Sequence, residues 1–212
     1  MPQTILYSTS VSPSIQDVSE QEFAEKVGAV LQDPRGWSKY GYKFVRADSA
    51  IAKPMLIRLE TLSVAEELCK FKGFSCWRPL SNDIIIHHGN WNGGSKSQLP
   101  LDRYRNYVIN HEVGHSLGLF HQKCPAKECA LRGVDPCPAS VMQQMTRGPE
   151  HIAPCAESDW PLDSSWKIDD PRPARPKSMF IVIAIIIALV VWVILFVTLL
   201  LPKTSKPAKT IG

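Results

Sequence analysis

His111-Glu112-Val113-Gly114-His115-Ser116-Leu117-Gly118-Leu119-Phe120-His121 is the stretch on which the reading of this chain turns. Its pattern is H-E-x-x-H-x-x-G-x-x-H, and each specified position has a separate mechanical task. On a helix, His111 and His115 lie four apart on one face, so both imidazoles reach a single ion. Glu112 is rotated away from that pair yet stays beside the metal, where a carboxylate takes a proton from water without occupying a coordination position. Gly118 supplies the stop, because a helix commonly ends on a left-handed glycine that has no Cβ to clash. The chain then reverses and brings His121 back to the same ion. Three neutral imidazoles leave the fourth position of a tetrahedral Zn²⁺ open, which separates catalytic sites from closed structural ones. One Zn²⁺ is therefore the expected cofactor, lowering the pKa of a water to about 7 and polarising a substrate carbonyl. A core helix with satisfied histidines is the plain alternative. It leaves a glutamate, a glycine and a third histidine in register unexplained.

Upstream, Tyr104, Val108, His111 and His115 recur at helical spacing, and Asp102 after Pro100 is placed to cap the start. Tyr107 and Ile109 widen the apolar share, so most of this helix is expected to be buried. Downstream stands Ala139-Ser140-Val141-Met142-Gln143-Gln144. A methionine turn after the extended histidine motif puts an apolar floor under the ligands. Met142 is the residue assigned to it, with Met145 the substitute if the register is shifted.

Earlier still, Ser19-Glu20-Gln21-Glu22 makes a capping box, with Val18 and Phe23 set as its hydrophobic staple. A helix is expected from there to about Leu31. Tyr42 to Ala47, Met55 to Leu59 and Asp83 to His87 read as strands, and Ser63 to Phe71 as a short helix. His87 and His88 are adjacent on a strand and face opposite ways, so they are read as lining or flanking a cleft rather than sharing an ion. His151 receives no role.

The chain resembles the DUF3152 group of metzincin-like proteins. The resemblance rests on an ordered set: Trp37 after Asp33-Pro34-Arg35-Gly36, then Cys69 and Ser75-Cys76, then Asn90-Trp91. Tyr104 to His115, His121, Cys124-Pro125, Val141 to Gln144, Cys155 and Trp160-Pro161 follow. It runs from Glu22 to Pro161 and implies an α+β, zincin-type catalytic domain over residues 1–162 with the activity of a zinc peptidase. It also implies that Asp83 to His88 is the edge strand along which an extended peptide lies. Two departures stand out. Gln144 occupies the place, two residues after the methionine, where metzincins carry a tyrosine that helps hold an oxyanion. Relatives tend to carry export or anchoring segments at the N-terminus, whereas here the long apolar run is C-terminal.

Six cysteines lie in the part before that run: Cys69, Cys76, Cys124, Cys129, Cys137 and Cys155. An even count in loop-like surroundings suggests disulfides, and six cysteines allow fifteen connectivities. The expected pairing is Cys69 with Cys76, Cys124 with Cys155 and Cys129 with Cys137, the last pair standing outside the family pattern. A second, structural zinc is the competing reading, and no C-x-x-C spacing supports it.

Phe180 to Leu201 is 22 residues without a charge, and about 20 suffice to span a bilayer as a helix. A single transmembrane helix is expected over 179–201. It follows a proline-rich linker, 163–178, containing Pro171, Pro173 and Pro176, and precedes a short basic tail, 202–212. Met1 to Ser10 has neither a basic n-region nor a long apolar run, so no signal peptide is read there. Lys167, Arg172, Arg175 and Lys177 before the span are balanced by Lys203, Lys206 and Lys209 after it, so orientation is not legible. A host-cell and a virion membrane both fit. The formal charge of +4 is thinly spread, and no aromatic-basic pattern points to nucleic acid.

The expected function is that of a membrane-anchored zinc metalloendopeptidase acting on peptide or protein substrates. His111, His115 and His121 are its metal ligands and Glu112 its general base. The alternatives are a non-catalytic membrane or virion-envelope protein that keeps a zinc-binding zincin fold, and a hydrolase of non-peptide amides.

Overall fold

A computed structural model describes residues 2–47, 54–163 and 166. The chain divides into two compact units, Met1–Arg172 and Pro173–Gly212, and every described residue belongs to the first. The expected transmembrane span at 179–201 and its linker lie outside the described residues, apart from residues 163 and 166. Among the described residues, no helix is long and apolar enough to cross a membrane.

The first unit is α+β with one mixed sheet. Its strands are β1 (Gln3–Val11), β2 (Tyr42–Arg46), β3 (Met55–Glu60), β4 (Cys76–Arg78) and β5 (Asp83–His87). Its helices are α1 (Glu20–Gln32), α2 (Leu62–Cys69), α3 (Leu101–Ser116) and α4 (Ala126–Arg132). Strand order is β2-β1-β3-β5-β4. The first four in that order are mutually parallel, and β4 pairs antiparallel to β5 through Cys76–Ile85, Trp77–Ile84 and Arg78–Asp83. Alternation along β5 divides the core. Ile84 and Ile86 join the main cluster with Phe23, Trp91, Tyr104 and Val108, while Ile85 meets Ala65 and Cys69 of α2 on the other face.

This topology corrects one expectation. Asp83–His87 is not the sheet's edge, because β4 covers it and is itself the edge strand. Three residues are too few for a period-2 signal, and the Cys69–Cys76 disulfide helps bring β4 into place.

α1 begins where the capping box set it. The Ser19 side chain accepts the Glu22 backbone N–H at 3.0 Å, and Val18 and Phe23 are both buried. Asp102 corrects a second expectation. α3 starts after Pro100 with no side-chain cap, and Asp102, one residue inside, pairs with Lys26 of α1 at 2.5 Å. Pro100 has no N–H to leave unsatisfied, and the Asp102 carboxylate still sits where the helix dipole favours it.

Residues 117–163 contain little regular structure apart from α4, so side chains must hold them. Asp159, buried, takes Arg103 Nη2 at 2.8 Å, Arg103 Nε at 3.0 Å and Asn106 Nδ2 at 3.0 Å. Its backbone carbonyl accepts Asn110 Nδ2 at 2.9 Å, and Trp37 Nε1 donates to Asn110 O at 3.1 Å. One acidic residue thus binds the C-terminal loops to the side of α3 away from the cleft. Asp159→Ala is expected to cost about 1–3 kcal/mol by stranding the Asn106 donor and half-exposed Arg103. Thermal denaturation measures that loss, and Asp159→Asn, which keeps an acceptor, is expected to lose less.

Candidate metal centre

α3 carries nine consecutive buried residues, Asn106 to Gly114, so its histidine face opens inward and not to solvent. His111 Nδ1 lies 2.8 Å from Val141 O, and His115 Nδ1 lies 2.9 Å from Leu119 O. Each imidazole donates Nδ1–H to a carbonyl, which leaves the lone pair on Nε2. The two Nε2 atoms are 3.2 Å apart. That is close to the about 3.3 Å expected of two nitrogens held at a tetrahedral angle around Zn²⁺. His121 joins them, and ligand atoms of all three rings lie within 4.8 Å of one another.

The electrostatics fit a cation. Desolvation pushes the His111 pKa well below its ordinary value, and the neighbouring His115 and His121 add to the effect. Desolvation lowers His115 too. His121 falls to about 4, through desolvation first and then the charges of His115 and Arg147. All three rings are therefore neutral at pH 7, the form that ligates metal.

Glu112 is 4% exposed. The Trp77 backbone N–H of β4 donates to its carboxylate, while Oε2 has no partner among the described residues. Burial raises the carboxyl to about 8, against the smaller lowering effect of that one amide. A buried, half-satisfied carboxylate beside three unprotonated imidazoles is costly unless something positive sits among them.

Gly118 performs the reversal. Its φ is +94°, Gly118 N donates to His115 O at 3.0 Å, and Leu119 N donates to Gly114 O at 3.0 Å. Met142 is fully buried, and Val141 O, one residue before it, holds His111. Met145 is buried too, but its backbone N–H donates to the Tyr107 hydroxyl at 3.1 Å. Met142 also explains why the motif has a glycine inside the helix. A Cβ on Gly114 would stand 2.4 Å from Met142 Sδ and 2.9 Å from Trp37 Cζ2. Gly114→Ala is expected to destabilise by about 1–3 kcal/mol through overpacking and to weaken metal retention. Equilibrium unfolding and zinc titration measure both, and adding Met142→Ala is expected to recover part of the loss.

A cleft of about 730 Å³ runs over these groups, walled by Phe74, Trp77, Phe120, Gln144 and Arg147. Gln144, two residues after Met142, faces it. Tyr107 is buried and its hydroxyl is committed, donating to Gln143 O at 2.8 Å and accepting from Met145 N. Of the paired histidines, His88 bonds Asp17 at 2.9 Å and Asn92 at 3.0 Å, away from the cleft. His87 is buried and lines a neighbouring cavity. Phe74, Thr146 and Arg147 carry no sequence signal of their own and enter only through the fold. The six cysteines form Cys69–Cys76, Cys124–Cys155 and Cys129–Cys137. Cys155 Sγ lies 3.5 Å from Cys137 Sγ, but with every sulfur of that cluster paired, no thiolate remains to ligate a second zinc.

Residues 3–157 match the family described as "Protein of unknown function (DUF3152)". The chain belongs to the DUF3152 family. That match takes in the whole sheet, α3, His121, Met142 and all six cysteines of this DUF3152 chain. It begins some twenty residues before the resemblance read from sequence, at β1. No curated protein and no solved structure shows a match.

Proposed function

We propose that this DUF3152 chain is a membrane-anchored, zinc-dependent metalloendopeptidase. The observation that carries the reading is the convergence of three neutral imidazoles beside a buried carboxylate whose Oε2 lacks a partner. His111, His115 and His121 would hold the ion, with Val141 O and Leu119 O fixing the first two rings. Bound Zn²⁺ supplies a lowered water pKa, a polarised carbonyl and a positive charge that draws Glu112 down from about 8. Glu112 Oε2 then takes the proton of the attacking water and returns it to the leaving amine nitrogen. β4 is an edge strand beside the cleft, so an extended peptide can add to the sheet there and bring its carbonyl over the site. The anchor rests on the 22 uncharged residues from Phe180 to Leu201. A purely architectural zinc gives no reason to bury an unpartnered carboxylate oxygen, which weighs against the non-catalytic alternative.

The test uses the full chain in detergent, with metal analysis and a peptide library assayed before and after chelation. One zinc per chain and hydrolysis that chelator removes and zinc restores are the expected results. A metal-free preparation that takes up no zinc, or turnover indifferent to chelator, would overturn the reading.

A further inference from the structure

A second cavity, about 540 Å³, adjoins the cleft, and the two share Lys72, Phe74, Thr146 and Arg147 as common wall. Its remaining cationic lining is Lys96, the imidazoles of His87 and His151 also face it, and among the described residues no carboxylate lines it. Arg147 is held with its guanidinium 5.2 Å from the centre of the Phe74 ring, its backbone N–H donating to Gln144 O at 3.1 Å. Among the described residues Arg147 has no carboxylate partner, and Lys72 and Lys96 form no ion pair. Nearby acids are otherwise placed. Glu150 lies against Gly148, 3.7 Å from His151; Glu66 acts on the buried His87, itself part of the cavity wall; Glu112 belongs to the cleft. Elsewhere in the chain Lys26, Arg35 and Arg132 do pair with acids. Arg147, Lys72 and Lys96 thus bring three positive charges to this cavity, and among the described residues no carboxylate pairs with any of them; charge of one sign in a concave wall selects its opposite.

We propose that this side chamber binds a carboxylate of the peptide whose scissile bond lies over the three histidines, either an acidic side chain or the free C-terminus. The inference rests on the peptidase reading and names its substrate class. Arg147, in the wall shared by both cavities, makes the planar two-point contact with the carboxylate, and Lys96 and Lys72 add charge. Selectivity arises because a neutral isostere leaves this wall uncompensated.

The experiment compares peptide pairs that differ only as Glu against Gln at each position, and as free against amidated C-terminus, on the zinc-loaded full chain in detergent. One of the two series is expected to show about tenfold higher kcat/KM for the charged member, mostly in KM and weakened by salt. The series that responds identifies the source of the carboxylate. Lys96→Gln, at a residue that lines the chamber and not the cleft, is expected to shrink that ratio severalfold. Lys96→Glu is expected to reverse the preference toward Lys-bearing peptides. The same pairs, fluorescently labelled, are titrated onto the Glu112→Gln protein, so that binding is read without turnover. A charged-peptide preference that Lys96→Gln removes there supports the chamber even if no peptide is cut, in which case only the peptidase reading fails. Equal binding within every pair, or a preference unmoved by both Lys96 variants, overturns the chamber.

Discussion

Glu112→Gln is expected to keep the fold and one zinc per chain while losing about 10²–10⁴-fold in peptide hydrolysis. The side chain keeps its size, so the packing around a position only 4% exposed is undisturbed. What disappears is the basicity of Oε2, and among the described residues no other carboxylate lines the cleft to replace it. Unchanged turnover in this variant would remove Glu112 from the reaction. The substitution also has a signature in the metal-free protein. The Glu112 carboxyl titrates near 4.5 when unfolded and at about 8 when folded, so the folded state holds its proton longer. The neutral carboxyl's contribution is complete below pH 4.5 and is lost as pH rises toward 8. Glutamine has no proton to lose. Melting curves of both chelated proteins should therefore show the variant gaining on the parent between pH 4.5 and 8. A difference that is flat across this window would mean that the carboxyl is not desolvated.

The second large effect is expected from His121→Ala. Of the three rings, His121 is the exposed one and has no side-chain hydrogen bond among the described residues, whereas His111 and His115 are tied to carbonyls. Its removal touches little packing, so stability without metal should stay within about 0.5 kcal/mol. Zinc should fall from one per chain to well below stoichiometric after dialysis, and hydrolysis should fall with it. Metal analysis and melting on one sample separate the outcomes. Full zinc retention would show that the third ring is not a ligand, and a large drop in metal-free stability would show that it is structural.

Sequence legibility followed local chemistry. The cap at Ser19, the helix from Leu101 to Ser116 and the left-handed glycine at 118 are decided by neighbours within a turn or two, and all three read through. β1 did not. It lies between two parallel strands and buries Tyr7, Ser8 and Thr9 in succession, so QTILYSTSV has no two-residue alternation to betray it. β4 was missed because three residues become a strand only through their pairing with β5, and that pairing made Asp83–His87 an inner strand. The motif's own residues were legible in the site because their spacing is intrinsic. Its walls were not, since Phe74, Trp77 and Arg147 meet over α3 from segments some seventy residues apart.

The amide of Trp77 belongs to the outermost strand and also bonds the Glu112 carboxyl. On the proposed peptidase reading, a peptide laid along that strand would be one bond away from the carboxyl that takes the hydrolytic proton. Tilting Trp77 would withdraw the donor that eases the carboxyl's burial and raise its proton affinity, so recognition and reactivity share a lever.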